Sequence, residues 1–432
     1  MLKQIEGSRA VAEAVAACRP QVICAYPITP QTHIVEALGA LVKKGELNSS
    51  FMNVESEFAA MSAVIGASAA GARAYTATAS QGLLYMSEAV YNAAGLGLPV
   101  VMTVANRAIG APINIWNDHS DAMSQRDAGW IQVYAETNQE AADLHVQAFR
   151  IAEVLSNPVM VCMDGFLLTH ASERVDLPRQ GQVDAFLPPY EPRQVLDPQD
   201  PVSIGAMVGP EAFTEVRYLA AERMRQALGL IPTVAASFAG QFGRPTGGLV
   251  RPYRTEDSEV IVVALGSVLG TIKDAVDELR DNGIRAGALG ITTFRPFPVQ
   301  AVREALDGAS ATTTGRPRRV VVIERALAPG SDGIVTSDVR AAIAADGRPP
   351  HPRDTIISTV VAGLGGRPVT RKSLLTMLAA AARGELAPFS FLDLRPDLIE
   401  AELARMRAAR RSGPSAENVL RDLSATAPGA LG

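Results

Sequence analysis

Cysteine is scarce in this chain of 432 residues: Cys18, Cys24 and Cys162 stand far apart, with no CxxC pair. That spacing excludes a disulfide framework, a zinc ribbon and a cysteine-ligated iron–sulfur cluster built by this chain alone. Cys24 and Cys162 lie inside apolar, strand-like runs, where a buried structural thiol is the expected role. An excess of charge is missing too. With 40 Lys+Arg against 45 Asp+Glu, no basic face points to nucleic acid or anionic lipid. Nor is there a long hydrophobic run. The most apolar window, residues 58–72, is rich in Ala, Gly and Ser, bracketed by Glu57 and Arg73, and too short to span a bilayer. It reads as a buried, tightly packed helix. The start, Met1-Leu2-Lys3-Gln4-Ile5-Glu6, lacks the apolar core of a signal peptide. The expectation is a cytoplasmic protein with no membrane or nucleic-acid partner.

What is present is organised around Tyr26-Pro27-Ile28-Thr29-Pro30-Gln31-Thr32. A strand-like run at 22–26 leads into it and a helical pattern leaves it. The ring of Pro30 disfavours helical angles at Thr29. Pro30 suits the first helical position, and a threonine suits the N-cap before it. Thr29 is therefore expected to cap the helix. The same geometry, free helical amides and a fixed hydroxyl just past a strand, also suits an anion such as a carboxylate.

Length suggests about two or three domains. Up to about residue 165, helices at 7–17, 32–44, 57–70, 80–95 and 140–155 alternate with strands at 22–26, 51–54, 74–79, 99–105, 130–134 and 158–163. A long polar loop fills 106–129. Apolar strands separated by helices predict a doubly wound, mostly parallel sheet covered on both faces. Ligands gather beyond the carboxyl ends of such strands. Standing there are Thr29, Glu55 or Glu57, Ser80, Gln81, Asn106, Arg107 and Asp164. A hydroxyl, a carboxylate, an amide and a guanidinium at one rim could handle a small anionic substrate.

Residues 166–250 are less regular, with a proline-rich loop at 184–200, a helix at 212–241 and a linker at 243–248. A second α/β unit follows, with strands at 260–265, 286–291, 320–324 and 355–361 and helices ending near 282 and 345. Gly266-Ser267-Val268-Leu269-Gly270 reads as a tight turn more than a phosphate cradle. In the tail, Leu398, Ile399, Leu403 and Met406 form an apolar stripe beside Glu400, Glu402, Arg405 and Arg407. That pattern predicts an amphipathic helix docked on its own domain or on a partner subunit. Poor order is expected beyond Gly413-Pro414.

Several motifs occur together and in order: Tyr26-Pro27-Ile28-Thr29-Pro30, Glu55-Ser56-Glu57, Thr76-Ala77-Thr78-Ala79-Ser80-Gln81-Gly82, Ala105-Asn106-Arg107-Ala108-Ile109, Asp118-His119-Ser120-Asp121 and Asp164-Gly165-Phe166. Tyr253-Arg254-Thr255-Glu256-Asp257 and Phe294-Arg295-Pro296-Phe297 follow in the second unit. The set resembles the alpha subunits of pyruvate:ferredoxin oxidoreductases (pyruvate synthases), within the 2-oxoacid:ferredoxin oxidoreductase family. The resemblance covers residues 1 to about 370. It implies a pyrimidine-type thiamine-diphosphate-binding sheet domain at 1–250, a smaller transketolase C-terminal-like α/β domain at 251–375, and a partly disordered helical tail at 376–432. The tail departs from the family's pattern, which leaves its role open.

The resemblance also implies an activity: pyruvate, coenzyme A and oxidised ferredoxin to acetyl-CoA, carbon dioxide and reduced ferredoxin, reversibly. Branched-chain 2-oxoacids or 2-oxoglutarate are the alternative substrates, and a non-catalytic scaffold subunit is the alternative of another class. In such enzymes a carboxylate near N1′ of the aminopyrimidine favours the tautomer that draws the proton from C2 of the thiazolium. Motif position selects Glu57 for this role; the bare sequence does not distinguish it from Glu55. Either could instead be a favourable charge at a helix start. Thr29 and Arg107 would hold the oxoacid, a guanidinium meeting its carboxylate through paired hydrogen bonds. Asp118 and Asp121 are expected to order the loop, and His119 to be structural. The Gly-Asp-Gly motif by which thiamine enzymes usually bind Mg²⁺ and diphosphate is missing, since Met163-Asp164-Gly165 and Ser331-Asp332-Gly333 do not fit it. A beta subunit would supply the diphosphate site, Mg²⁺ and a [4Fe–4S] cluster. Gamma and delta subunits would add coenzyme A contacts and further clusters, with ferredoxin or flavodoxin as electron carrier.

Overall fold

A computed structural model describes residues 2–307, 317–345, 355–408 and 411–426. The chain forms two compact units, Met1–Ser390 and Phe391–Gly432. In the larger unit a seven-stranded sheet runs in the order Thr293–Arg295, Ile131–Tyr134, Val159–Asp164, Val101–Asn106, Ala74–Thr78, Val22–Ala25, Ser50–Asn53. All neighbours are parallel except the edge strand Thr293–Arg295, which is antiparallel to Ile131–Tyr134. The central strands are buried along their whole length because helices cover both faces. Val11, Leu38, Tyr75 and Phe149 belong to one core, and Met61, Val64, Val90 and Trp130 to the other. The second core continues into the second sheet through Val263, Leu289 and Val320.

That second sheet holds parallel strands in the order Thr355–Val361, Arg318–Glu324, Val260–Ala264, Ala286–Ile291, with Val250–Tyr253 antiparallel beside the last. The α/β class expected from the apolar alternation is the one observed. Several elements differ in detail. The helix expected at 80–95 is broken at Met86 into Ser80–Tyr85 and Ser87–Gly95. The polar loop after Asn106 contains a short helix, Ser120–Ser124. Leu2–Glu6 and Ser172–Asp176 form an antiparallel pair that short, half-polar runs did not announce. Past the turn at 243–248, Val250–Tyr253 joins the second sheet, and Thr293–Arg295 reaches back to the first. An edge strand from the second α/β unit thus completes the first sheet.

In the smaller unit, helices Pro396–Ala408 and Ser415–Thr426 pack on each other. The predicted stripe divides: Leu398 is buried, whereas Ile399, Leu403 and Met406 are exposed. The second helix stands where poor order was expected, because Asn418 donates to Glu402 at 3.2 Å and Arg405 pairs with Asp422 at 2.8 Å. Residues 427–432 lie outside the described residues. No described helix is long and apolar enough to cross a membrane.

Candidate active site

Five neighbouring parallel strands of the first sheet end at one rim, and the expected residues follow those ends. The cap differs from expectation. The helix begins at Thr32, with Gln31 at the N-cap and Thr29 in the turn before it, its side chain exposed. Gln31 wins the cap position because its buried side chain ties three segments together. Its amide donates to Ala77 O at 2.5 Å and Tyr26 O at 3.3 Å, while its oxygen accepts from Ile28 N at 3.4 Å.

Glu57 opens the helix Glu57–Ala69, where Ser56 is the N-cap and accepts from Ala59 N at 3.1 Å. A carboxylate in the first turn is favourable to the helix. Burial separates the two candidates that sequence alone left open: Glu55 is exposed and Glu57 is 7% exposed. Among the described residues the Glu57 carboxylate has no hydrogen bond or ion pair. It lies against Gly82, where a Cβ would come within 2.7 Å of both Glu57 Oε1 and Thr78 Oγ1. Thr78 Oγ1 is buried and also lacks a partner. Native structures rarely leave a buried hydroxyl such as that of Thr78 unsatisfied. Hydrogen-bonding capacity is held open here.

Arg107 follows the strand Val101–Asn106 and is 7% exposed. Its Nη1 donates to Thr29 O and its Nε to Asn114 O, both at 2.9 Å. The structure thus brings Thr29 and Arg107 into direct contact, through the Thr29 carbonyl. Among the described residues no carboxylate pairs with this guanidinium. Burial pushes its pKa down, and the Asp121 charge partly offsets that.

Asp121 is fully buried and takes four donors: Ser80 N (2.9 Å), Arg107 N (2.9 Å), Asn106 Nδ2 (2.8 Å) and Ala122 N (2.8 Å). Burial pushes its pKa up to about 6, although each of those bonds pulls it down. It fixes the turn leading to Gly82 relative to the backbone of Arg107, so Asp121 orders more than its own loop. Asp118 likewise orders the loop, accepting from Ser120 N at 2.9 Å and Gly365 N at 3.0 Å.

Asp164 stands where the two sheets meet end to end. Its Oδ1 faces His119 Nε2 at 2.7 Å, and its Oδ2 accepts from Ser267 N at 3.0 Å and from Ser267 Oγ. Arg325 Nη1 is 3.8 Å from the same oxygen. Burial alone would raise the Asp164 pKa, but His119, Arg325 and Ser267 together hold the carboxyl below the usual range. His119 is buried against Asp164, and the Gly266-Ser267 turn receives a protein carboxylate. Sequence reasoning missed Gly82 as a cradle and Arg325 as a clasp. The first sits in a quoted motif, whereas nothing near Arg325 marks it.

In fold, the chain is similar to 2-oxoglutarate:ferredoxin oxidoreductase from Magnetococcus marinus, with a TM-score of 0.67 at 18% identity, covering 88% of this chain and 65% of that one. A split-gene transketolase superposes with a TM-score of 0.50 at 15% identity, covering 88% and 99%. The fold is thus the α/β fold of those enzymes. Residues 13–235 match the family described as pyruvate flavodoxin/ferredoxin oxidoreductase, thiamine diphosphate-binding, and residues 258–374 match pyruvate:ferredoxin oxidoreductase core domain II. The pyruvate synthase subunit PorA of Methanosarcina barkeri is 45% identical over 403 residues, 91% of this chain and 97% of that protein. PorA of Thermotoga maritima is 42% identical (88% and 95%), and the ketoisovalerate oxidoreductase subunit VorA of Pyrococcus horikoshii 38% identical (85% and 90%). The chain belongs to the pyruvate:ferredoxin oxidoreductase family.

Proposed function

We propose that this chain is the alpha subunit of an enzyme that converts pyruvate, coenzyme A and oxidised ferredoxin to acetyl-CoA, carbon dioxide and reduced ferredoxin, reversibly. The observation that carries the reading is 42–45% identity to pyruvate synthase PorA subunits over most of the chain. Residues 1–250 would be the pyrimidine-side thiamine diphosphate domain, completed by a beta subunit that brings the diphosphate site, Mg²⁺ and a [4Fe–4S] cluster. Gamma and delta subunits would relay electrons to ferredoxin or flavodoxin, in the cytoplasm.

The residues present fit an aminopyrimidine ring: an unpartnered buried carboxylate at Glu57, an unpartnered hydroxyl at Thr78, and the space that Gly82 leaves between them. When bound, thiamine diphosphate supplies a nucleophilic carbon and an electron sink for the decarboxylation. Glu57 holds and exchanges a proton at the pyrimidine N1′, for which its freedom from other partners suits it. Arg107 pairs with the oxoacid carboxylate through guanidinium N–H groups that the Thr29 and Asn114 carbonyls leave free, and those carbonyls fix the plane of the fork. Thr29, exposed beside it, offers its hydroxyl to the same anion. A branched-chain 2-oxoacid as substrate is the second reading, favoured by the 38% identity to VorA. Assay of the reconstituted complex with pyruvate, 2-oxoisovalerate and 2-oxoglutarate decides. The highest kcat/KM is expected for pyruvate, and a preference for either other acid overturns the assignment.

A further inference from the structure

The loop that carries Arg107 is tied down at both ends. At its base, Asp121 holds the Arg107 backbone at 2.9 Å. Nearer its tip, Asn114 accepts from Arg107 Nε through its carbonyl, and its side chain takes two further bonds. Asn114 Oδ1 accepts from Trp116 N at 2.7 Å, and Asn114 Nδ2 donates to Gly365 O at 3.2 Å. Gly365 N donates to Asp118 Oδ2 at 3.0 Å, and Gly366 N to Asn117 O at 2.8 Å. Asn117 and Asp118 are buried at 2% and 4% exposure. Every one of these outside contacts comes from residues 365–366, which follow the strand Thr355–Val361 of the second sheet.

The residues there could hardly be other than glycine. Gly363, Gly365 and Gly366 have φ of +70°, +55° and +80°. Side chains rarely adopt such angles. A Cβ on Gly365 would lie 2.5 Å from Asn114 Nδ2, and one on Gly366 would strike Trp116. The clasp and the loop are thus fitted without slack. Movement of residues 365–366 must pass to Asn114, and from Asn114 to the Arg107 guanidinium.

We propose that this glycine turn of the second α/β unit sets the position of Arg107, and with it the affinity for the oxoacid carboxylate. Asn114 and Asp118 are positioning residues acting through Arg107. The inference rests on the reading of Arg107 given above, and it assigns the second α/β unit a part in substrate binding. A misplaced guanidinium loses the paired geometry on which carboxylate recognition depends.

Steady-state kinetics of the assembled complex, with pyruvate varied at saturating coenzyme A, test it. Gly366→Ala raises the pyruvate KM by about 10- to 100-fold, leaving the coenzyme A KM unchanged and kcat far less affected. Asn114→Ala, which introduces no clash, raises the pyruvate KM by about 3- to 10-fold, and it carries the test if Gly366→Ala fails to assemble. In an Arg107→Ala background neither change adds to the effect, as expected for residues acting through one group. Unaltered pyruvate KM in Asn114→Ala and Gly366→Ala overturns the clasp, as does an effect that persists in full without Arg107. If Arg107→Ala alone raises the pyruvate KM while Asn114→Ala does not, only the clasp falls. If Arg107→Ala leaves it unchanged, Arg107 leaves the substrate site and the clasp falls with it.

Discussion

The two sheets have the same design and opposite uses. Each is mostly parallel, each sends its strands into turns and helices at the carboxyl ends, and the two rims face one another. At the second rim most of the polar groups named above turn to the protein, although the buried Nε of Arg325 has no hydrogen-bond partner among the described residues. Ser267 gives its amide and hydroxyl to Asp164, Arg325 lends its carbonyl to His119 N, and Gly365 gives its amide to Asp118. At the first rim Glu57, Thr78 and Arg107 keep unused capacity, and Thr78 Oγ1 is buried without a partner. Glu57 has no partner among the described residues, and Arg107 bonds only to neutral carbonyls. Strand ends rich in donors are therefore no sign of a ligand site by themselves. What sets the first rim apart is an unpaired carboxylate beside an unpaired buried hydroxyl, and leaving buried polar groups unpaired costs stability that packing elsewhere must offset.

That contrast can be broken at several points. Glu57→Gln should give the largest effect, a fall in turnover of roughly 10²- to 10⁴-fold with the complex still assembled. Normal turnover in that variant would instead support a scaffold role for the chain. Arg107→Ala should cost about 2–5 kcal/mol in kcat/KM for the oxoacid, the range for removing one member of a buried charge pair. An unchanged specificity constant would move Arg107 out of the site. The second rim should behave otherwise. Ser267→Ala removes one hydrogen bond to a buried carboxylate, so thermal or urea unfolding should report a loss of about 1.5–3 kcal/mol in stability while the oxoacid KM stays as it was. A large kinetic effect with no loss of stability would erase the distinction between the rims.

Legibility in the sequence followed the length and polarity of each element. Helix Gly7–Ala17 and strands Ala286–Ile291 and Thr355–Val361 fall where hydrophobic periodicity puts them. The pairing of Leu2–Glu6 with Ser172–Asp176 was not legible, because its partners lie far apart in sequence and are mostly solvent-facing. Thr29 illustrates a local rule overridden. Proline geometry favoured it as the helix cap, yet Gln31 holds that place because Ala77, on a neighbouring strand, offers its side chain a buried acceptor. Likewise Asp121 looked like one more loop carboxylate until donors from Ser80 and from the adjacent Asn106 and Arg107 converged on it, beside that of its neighbour Ala122.

The order of residue types along the chain determined the α/β class and which strand ends would carry polar groups, because burial on both faces demands apolar strands and confines chemistry to their termini. It could not determine which of those groups would be neutralised. Glu57 and Asp164 are both carboxylates beyond parallel strands, and only packing left one alone at Gly82 while it drove the other against His119 and Ser267. Pairing between distant segments is a property of three-dimensional proximity, and no local pattern encodes it.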